Sequence, residues 1–313
     1  MTKKVRDMWQ RLHYSDPRRR ITSADFLNHA MHRIVLKTND HARDSAGMRY
    51  VYPVLSRRAE GLSIGINLNP NNACNWRCIY CQVPNLTRGG PPPIDLTLLE
   101  QELTTLLNSI ADGSLIIDHD APSHGLPVLR DIAFSGNGEP TSAAEFPLVV
   151  SLVRNVLHAH GLDQRAMLRL ITNGSLLDRH SVQAGIRDIG NASGEVWFKV
   201  DSASTAGLAL INGTQLKIET ISRRLARCAA LAPTWVQTCL FTLDNTLPTE
   251  DDIARYLALL APVAQQLKGV HLYSLARPSL QNEASRLGRL DAEYLETIGQ
   301  RIRQLGLIVQ VSA

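Results

Sequence analysis

Three cysteines stand within eight residues of this 313-residue chain, in the run Asn72-Ala73-Cys74-Asn75-Trp76-Arg77-Cys78-Ile79-Tyr80-Cys81. Their C-x₃-C-x₂-C spacing puts three thiolates on one short loop, and cluster iron is a thiolate-loving centre. No fourth cysteine is near, so a 4Fe–4S cluster held here keeps one iron with an open coordination position, as a catalytic cluster needs. A structural zinc ion wants four protein ligands, and the nearest histidines in sequence, His41 and His119, are distant. Cys74, Cys78 and Cys81 are therefore the candidate metal ligands and catalytic residues. The two remaining cysteines, Cys228 and Cys239, stand alone. An odd total without paired spacing is unlike a secreted disulfide framework.

Other residues with chemistry to offer come in short runs. Ser135-Gly136-Asn137-Gly138-Glu139-Pro140-Thr141 combines glycines, which let backbone come close to a ligand, with a carboxylate that can attract an ammonium. Thr172-Asn173-Gly174 is a turn-forming triplet. In Lys199-Val200-Asp201-Ser202, Asp201 can either bond a ligand hydroxyl or cap a helix. Arg277, in Tyr273-Ser274-Leu275-Ala276-Arg277-Pro278, can pair with a carboxylate or phosphate.

These runs need elements to position them. Strand-like segments are read at 62–68, 131–135, 167–172, 195–200, 234–242 and 269–274, and amphipathic patterns near 96–110, 144–159, 178–188, 217–231, 250–267 and 291–304 alternate with them. A last strand is read at 306–311. Six βα units in series imply an α/β fold with a parallel sheet, either doubly wound or curved into a partial (β/α)₆ TIM-like barrel. In both, ligands gather beyond the carboxyl ends of the strands, and the four motifs following the first four strands all fall there. Residues 1–58 are read as an N-terminal extension, with a helix beginning at Ser23 and a strand-like run at 50–54. Residues 59–313 are read as the barrel domain.

C-x₃-C-x₂-C with Tyr80 before its last cysteine resembles the radical S-adenosylmethionine superfamily. The 135–141 run resembles that superfamily's Gly-Gly-Glu-Pro element, departing from it at Asn137, and Thr172-Asn173-Gly174 resembles an element lining the nucleoside pocket. The resemblance covers roughly residues 60–280 and implies the partial barrel, a 4Fe–4S cluster and S-adenosyl-L-methionine as cofactors. It also implies reductive cleavage to a 5′-deoxyadenosyl radical that abstracts hydrogen from a substrate. Tyr80, Gly136, Gly138, Glu139, Asn173 and Asp201 are the cofactor-binding candidates it points to: Glu139 for the methionyl ammonium, Asp201 for ribose hydroxyls. A flavodoxin- or ferredoxin-like one-electron reductant follows as partner. GINLNP, CNWRCIYCQ, FSGNGEPT and KVDS are most similar to the group containing the tRNA wybutosine-synthesis enzymes and their bacterial relatives. Those enzymes carry extra N-terminal cysteines; residues 1–58 contain none, so neither an auxiliary cluster nor the wybutosine reaction itself is expected.

Apolar residues make up 44% and charged residues 20%, enough for a large core. No stretch approaches the roughly 18 apolar residues of a membrane span, and the basic start lacks the apolar run of a secretory signal, so a cytoplasmic protein is expected. Net charge is +4, with Lys3, Lys4, Arg6, Arg11, Arg18, Arg19 and Arg20 near the start. That cluster can meet phosphates, which makes RNA a candidate substrate. The alternatives are the same chemistry on a peptide or small metabolite, and a non-catalytic metal-binding regulatory protein, in which Gly138-Glu139 has no purpose. Asp118-His119-Asp120 and His124 precede the second strand, at the end away from the cluster, and are read as a solvated loop. Cys228 is read as a small core residue. Cys239, near the end of the fifth strand with Gln237 and Phe241, either faces a helix or donates hydrogen inside the barrel.

Overall fold

The computed structural model describes residues 35–36, 46–56, 61–117 and 128–313. Strands β1 (Val51–Ser56), β2 (Gly61–Ile66), β3 (Leu129–Phe134), β4 (Met167–Thr172), β5 (Glu195–Lys199), β6 (Thr234–Cys239), β7 (Gly269–Tyr273) and β8 (Val309–Ser312) form one eight-stranded sheet, ordered in space as in the chain. β1 lies antiparallel to β2, and every other neighbouring pair is parallel. Helices α1 (Leu96–Ala111), α2 (Phe146–Ala159), α3 (His180–Asn191), α4 (Thr205–Asn212), α5 (Ile218–Ala229), α6 (Glu250–Leu260) and α7 (Ala292–Arg303) fill the connections.

The strand order never reverses, so the sheet lacks the switch point of a doubly wound fold. Right-handed crossovers then carry every helix over the same face, and the sheet is a partial barrel. Among the described residues its two edge strands, β1 and β8, do not pair with each other.

Alternation along each strand separates two environments. Leu62, Ile64, Ile66, Ile132, Phe134, Leu168, Leu170, Val196, Phe198, Val236, Val270 and Leu272 join one apolar cluster with helix residues such as Leu99, Val149, Ile186, Leu225 and Ile298. Burying each such side chain is worth about 1.5–3 kcal/mol. The intervening Ser63, Asp131, Arg169, Trp197, Lys199 and Gln237 line the barrel's interior cavity. A one-residue bulge aids this: the register passes from Leu62 opposite Leu129 to Ser63 opposite Asp131, skipping Arg130 and turning Asp131 inward.

Several elements differ from the sequence reading. The 50–54 run belongs to the barrel sheet as its antiparallel edge strand. The fifth strand ends at Cys239; Thr242–Leu243 pairs instead with Leu287–Gly288. The helix expected over 250–267 ends at Leu260 and tightens into a 3₁₀ turn, where Pro262 lacks the N–H to continue the α ladder. The eight-residue α4 was not foreseen, because it is short and almost wholly apolar, without helical alternation; Ser204 caps its start and Gly213 its end. The Ser23 helix and the 118–124 loop lie outside the described residues.

Candidate active site

The inward faces of β1 to β7 and the loops that leave the carboxyl ends of β2, β3, β4 and β7 line a cavity of about 660 Å³. Cys74, Cys78, Tyr80, Cys81, Gly136, Asn137, Gly138, Glu139 and Asn173 all line it, with Lys199, Cys239 and Arg277. Of the residues singled out in the sequence for cofactor binding, Asp201 alone stands behind the wall, its side chain fully buried.

The cysteine loop is tied down on three sides. Ala73–Cys74 pairs with Thr87–Arg88, and the amides of Arg77 and Ile79 donate to the Asn212 and Ile211 carbonyls at the end of α4, at 3.0 and 2.9 Å. Arg88 reaches the Asn75 carbonyl at 2.8 Å and the Gly213 carbonyl at 2.6 Å. On the third side, the 277–283 segment binds Cys81: its carbonyl accepts from the Leu280 amide at 3.0 Å, Ser279 Oγ at 3.2 Å and Gln281 Nε2 at 3.2 Å. Arg77 and Glu283 close this strap with a two-pronged ion pair at 2.8 and 3.0 Å.

The two glycines of the 136–139 loop answer to backbone approach. A Cβ on Gly138 would lie 2.2 Å from the Ala73 carbonyl oxygen, and one on Gly136 would lie 2.8 Å from Asn67 Cα. The loop thus packs against the segment entering the cysteine loop as closely as chemistry allows. Asn67 Oδ1 accepts from the amides of Asn69 and Asn137, at 3.1 and 3.0 Å. Asn137 Nδ2 donates to Asn72 Oδ1 at 2.7 Å, which leaves its buried Oδ1 as an acceptor without a donor.

Glu139 accepts from the Thr141 amide at 3.1 Å, the Thr141 and Thr172 hydroxyls at 2.6 Å each, and the Asn173 amide at 2.6 Å. Burial pushes its carboxyl above the ordinary value, and the Thr141 and Thr172 hydroxyls pull it back. The residue therefore staples the β3 loop to the β4 loop as well as facing the cavity. Asn173 in turn donates to Asn75 Oδ1 at 2.9 Å, within the cysteine loop.

Asp201 ties the end of β5 to the cysteine loop. Its carboxylate accepts from Tyr80 Oη at 2.5 Å, Asn212 Nδ2 at 2.8 Å and the Cys239 amide at 3.1 Å, with Lys199 Nζ at 3.8 Å. Ser204, not Asp201, caps the following helix. Burial by itself would lower the Lys199 ammonium's pKa, but Asp201 beside it holds it above the ordinary value.

Burial pushes the Cys74 thiol up to about 11, against the Trp76 amide, and the Cys78 thiol up to about 12, against Lys199. Metal-free, both are neutral at pH 7, so binding a metal group releases protons. Among the described residues no three His, Cys, Asp or Glu side chains gather around a point that would hold one metal ion. By its chemistry, a set of three sulfur donors on one short loop fits a cluster of several irons better than a single zinc, which wants four protein ligands.

Below the site the interior is filled. Arg169 pairs with Asp131 and, at 2.8 Å, with Glu195; Glu195 also accepts from the Trp197 and Trp235 indoles at 2.8 and 3.0 Å. The His271 ring packs 4.5 Å from Trp235 and 4.3 Å from Trp197.

Cys228 is buried in α5 against the core. Cys239 faces the cavity rather than a helix, packed with Ile79 and Phe241. The sequence reading missed Asn67, Asn69, Asn75, Asn212, Gln281 and Glu283, which hold the cysteine loop. The crowding of asparagines in Asn67-Leu68-Asn69-Pro70-Asn71-Asn72 was the available signal for the first of them.

No family model matches the chain. Over 134 residues, 43% of this chain and 17% of that protein, it is 25% identical to the GTPase Obg of Brachyspira hyodysenteriae. The chain holds no Gly-Lys pair, on which the phosphate-binding loop of such proteins is built. Its fold is similar to that of a radical SAM methyltransferase from Sphaerobacter thermophilus, with a TM-score of 0.54, 12% identity, and 84% of this chain and 68% of that chain covered. It is also similar to SuiB of Streptococcus suis, with a TM-score of 0.52, 9% identity, and 82% of this chain and 51% of that chain covered. At such identities the likeness is one of fold, and the chain spans about half of SuiB's length.

Proposed function

We propose that the chain is a radical S-adenosylmethionine enzyme, with a 4Fe–4S cluster on Cys74, Cys78 and Cys81 and S-adenosylmethionine along the 136–139 loop and Asn173. The observation that carries this reading is the meeting of these three motifs on one cavity wall, at the carboxyl ends of a partial barrel. The fold likeness to a radical SAM methyltransferase supports it. When bound, the cluster and S-adenosylmethionine supply one-electron cleavage of the sulfonium and a 5′-deoxyadenosyl radical for hydrogen abstraction.

The chain's own residues bind and orient these groups. Glu139, lining the cavity, is the carboxylate that suits the methionyl ammonium, and Asn67 holds its loop through the Asn137 amide. Tyr80 and Lys199 line the cavity beside the cysteine loop, and the ion-paired Asp131, Arg169 and Glu195 fix the barrel interior beneath it.

The reading further includes RNA as substrate, supported by the seven basic residues within the first twenty. It includes a flavodoxin- or ferredoxin-like reductant. A reducing, cytoplasmic setting is supported by five cysteines, none in a disulfide; among the described residues no helix is long and apolar enough to cross a membrane.

Anaerobic reconstitution tests the chemistry: about four irons per chain and 5′-deoxyadenosine formed under reduction are expected, both lost in Cys78→Ala. Full activity of Cys78→Ala would overturn the reading. Incubating the enzyme with cell RNA and, separately, with metabolite pools in deuterated form tests the substrate. Deuterium entering 5′-deoxyadenosine only from the metabolites would remove RNA.

A further inference from the structure

Asn212 ends α4, fully buried, and its carboxamide is used one-sidedly. Nδ2 donates to Asp201 Oδ2 at 2.8 Å and to Cys78 Sγ at 3.2 Å, which occupies both of its hydrogens. Oδ1 is buried with no partner. An unsatisfied buried acceptor is a cost that folded proteins rarely keep without a reason. The side chain is thus held in place for its donors. The backbone repeats the arrangement, since the Asn212 and Ile211 carbonyls accept from Arg77 and Ile79 on either side of Cys78.

We infer that Asn212 is a positioning residue whose N–H···S bond to Cys78 sets the reduction potential of the cluster and makes it easier to reduce. The inference rests on the cluster proposed above. Reduction adds negative charge that spreads onto the cysteine sulfurs, and a hydrogen bond to a more negative acceptor is stronger. Hydrogen bonds to cluster sulfurs are among the levers that set iron–sulfur potentials. Asp201, accepting the second hydrogen of the same amide, fixes the orientation in which the first meets Cys78. The chain Tyr80–Asp201–Asn212–Cys78 therefore links two positions of the cysteine loop through β5 and α4.

The test compares wild type with Asn212→Leu, of similar volume and without donors, and with Asn212→Ala, which asks for no new space. Each is reconstituted anaerobically and measured for iron content, circular dichroism and cluster midpoint potential by EPR-monitored redox titration. Full iron content and a fold like wild type are expected, with the reduced-to-oxidised ratio at fixed potential falling about tenfold, a midpoint about 59 mV more negative for a one-electron couple. An unchanged midpoint in variants that carry the full cluster would overturn the inference. Loss of the cluster or of the fold in both variants would also overturn it, by assigning Asn212 to scaffolding alone. Failure of the wild type to assemble a cluster overturns this inference together with the reading on which it rests.

Discussion

The Tyr80 hydroxyl donates to Asp201 Oδ2 at 2.5 Å, so the residue preceding the last loop cysteine is anchored to the end of β5. Tyr80→Phe removes one of the donors that satisfy a fully buried carboxylate. Hydrogen bonds to charged groups contribute about 1.5–3 kcal/mol. The urea midpoint is expected to fall by that equivalent with the slope unchanged, and an unaltered midpoint would show the bond to be dispensable.

Glu139→Gln puts an amide NH₂ where the carboxylate accepts from four donors. At least one donor then faces a donor, and a loss of about 1–3 kcal/mol in stability should accompany any loss of S-adenosylmethionine affinity. Melting and cofactor titration on the same sample check this. Weakened cofactor binding with wild-type melting would instead make Glu139 a direct ligand.

Gly138→Ala drives a methyl group to 2.2 Å from the Ala73 carbonyl oxygen, a backbone atom next to Cys74. The cysteine loop has to shift, and iron uptake on reconstitution should drop severely. Gly90→Ala, with nothing within 4 Å of its new Cβ, is the control; its stability should stay within about 0.5 kcal/mol of wild type. Equal iron uptake by the two variants would contradict the packing argument.

The strap over Cys81 is latched by Arg77 and Glu283. The hydrogen bond from Arg77 holds the Glu283 carboxyl below its ordinary value of 4.5. A lowered carboxyl contributes stability above the unfolded pKa and loses it as pH falls through the folded one. Both side chains are partly exposed, so Glu283→Gln should cost less than about 1 kcal/mol at pH 7. The melting difference from wild type should vanish as the pH drops below about 4, within a unit of the ordinary carboxylate pKa. A difference that persists in acid would rule out the ion pair as its source.

Cys239 lines the cavity yet packs against Ile79 and Phe241. Cys239→Ser buries a more polar group, and a loss of about 1–3 kcal/mol with ordinary product is expected. Product lost while 5′-deoxyadenosine still forms would identify the thiol as a hydrogen donor to the substrate.

Much of this molecule is legible in one dimension, for a physical reason. Strand alternation and helix caps are local: Asp95, Thr249 with Asp252, and Asp291 each bond an amide within three residues. Six βα units, the barrel's carboxyl-end rule and the cysteine, Gly136–Gly138 and Asn173 motifs follow from such short-range patterns. What the tertiary structure alone decided is long-range. Whether the sheet is doubly wound or singly wound depends on strand order in space, which no local pattern encodes. Asp201 reads equally as a cap or a ligand, and only the fold, bringing Tyr80 from 121 positions away against it, makes it a strut. Asn212 offers no signal at all, because a lone asparagine before a glycine is an ordinary helix end; only the docking of α4 against the cysteine loop gives its amide a sulfur to bond.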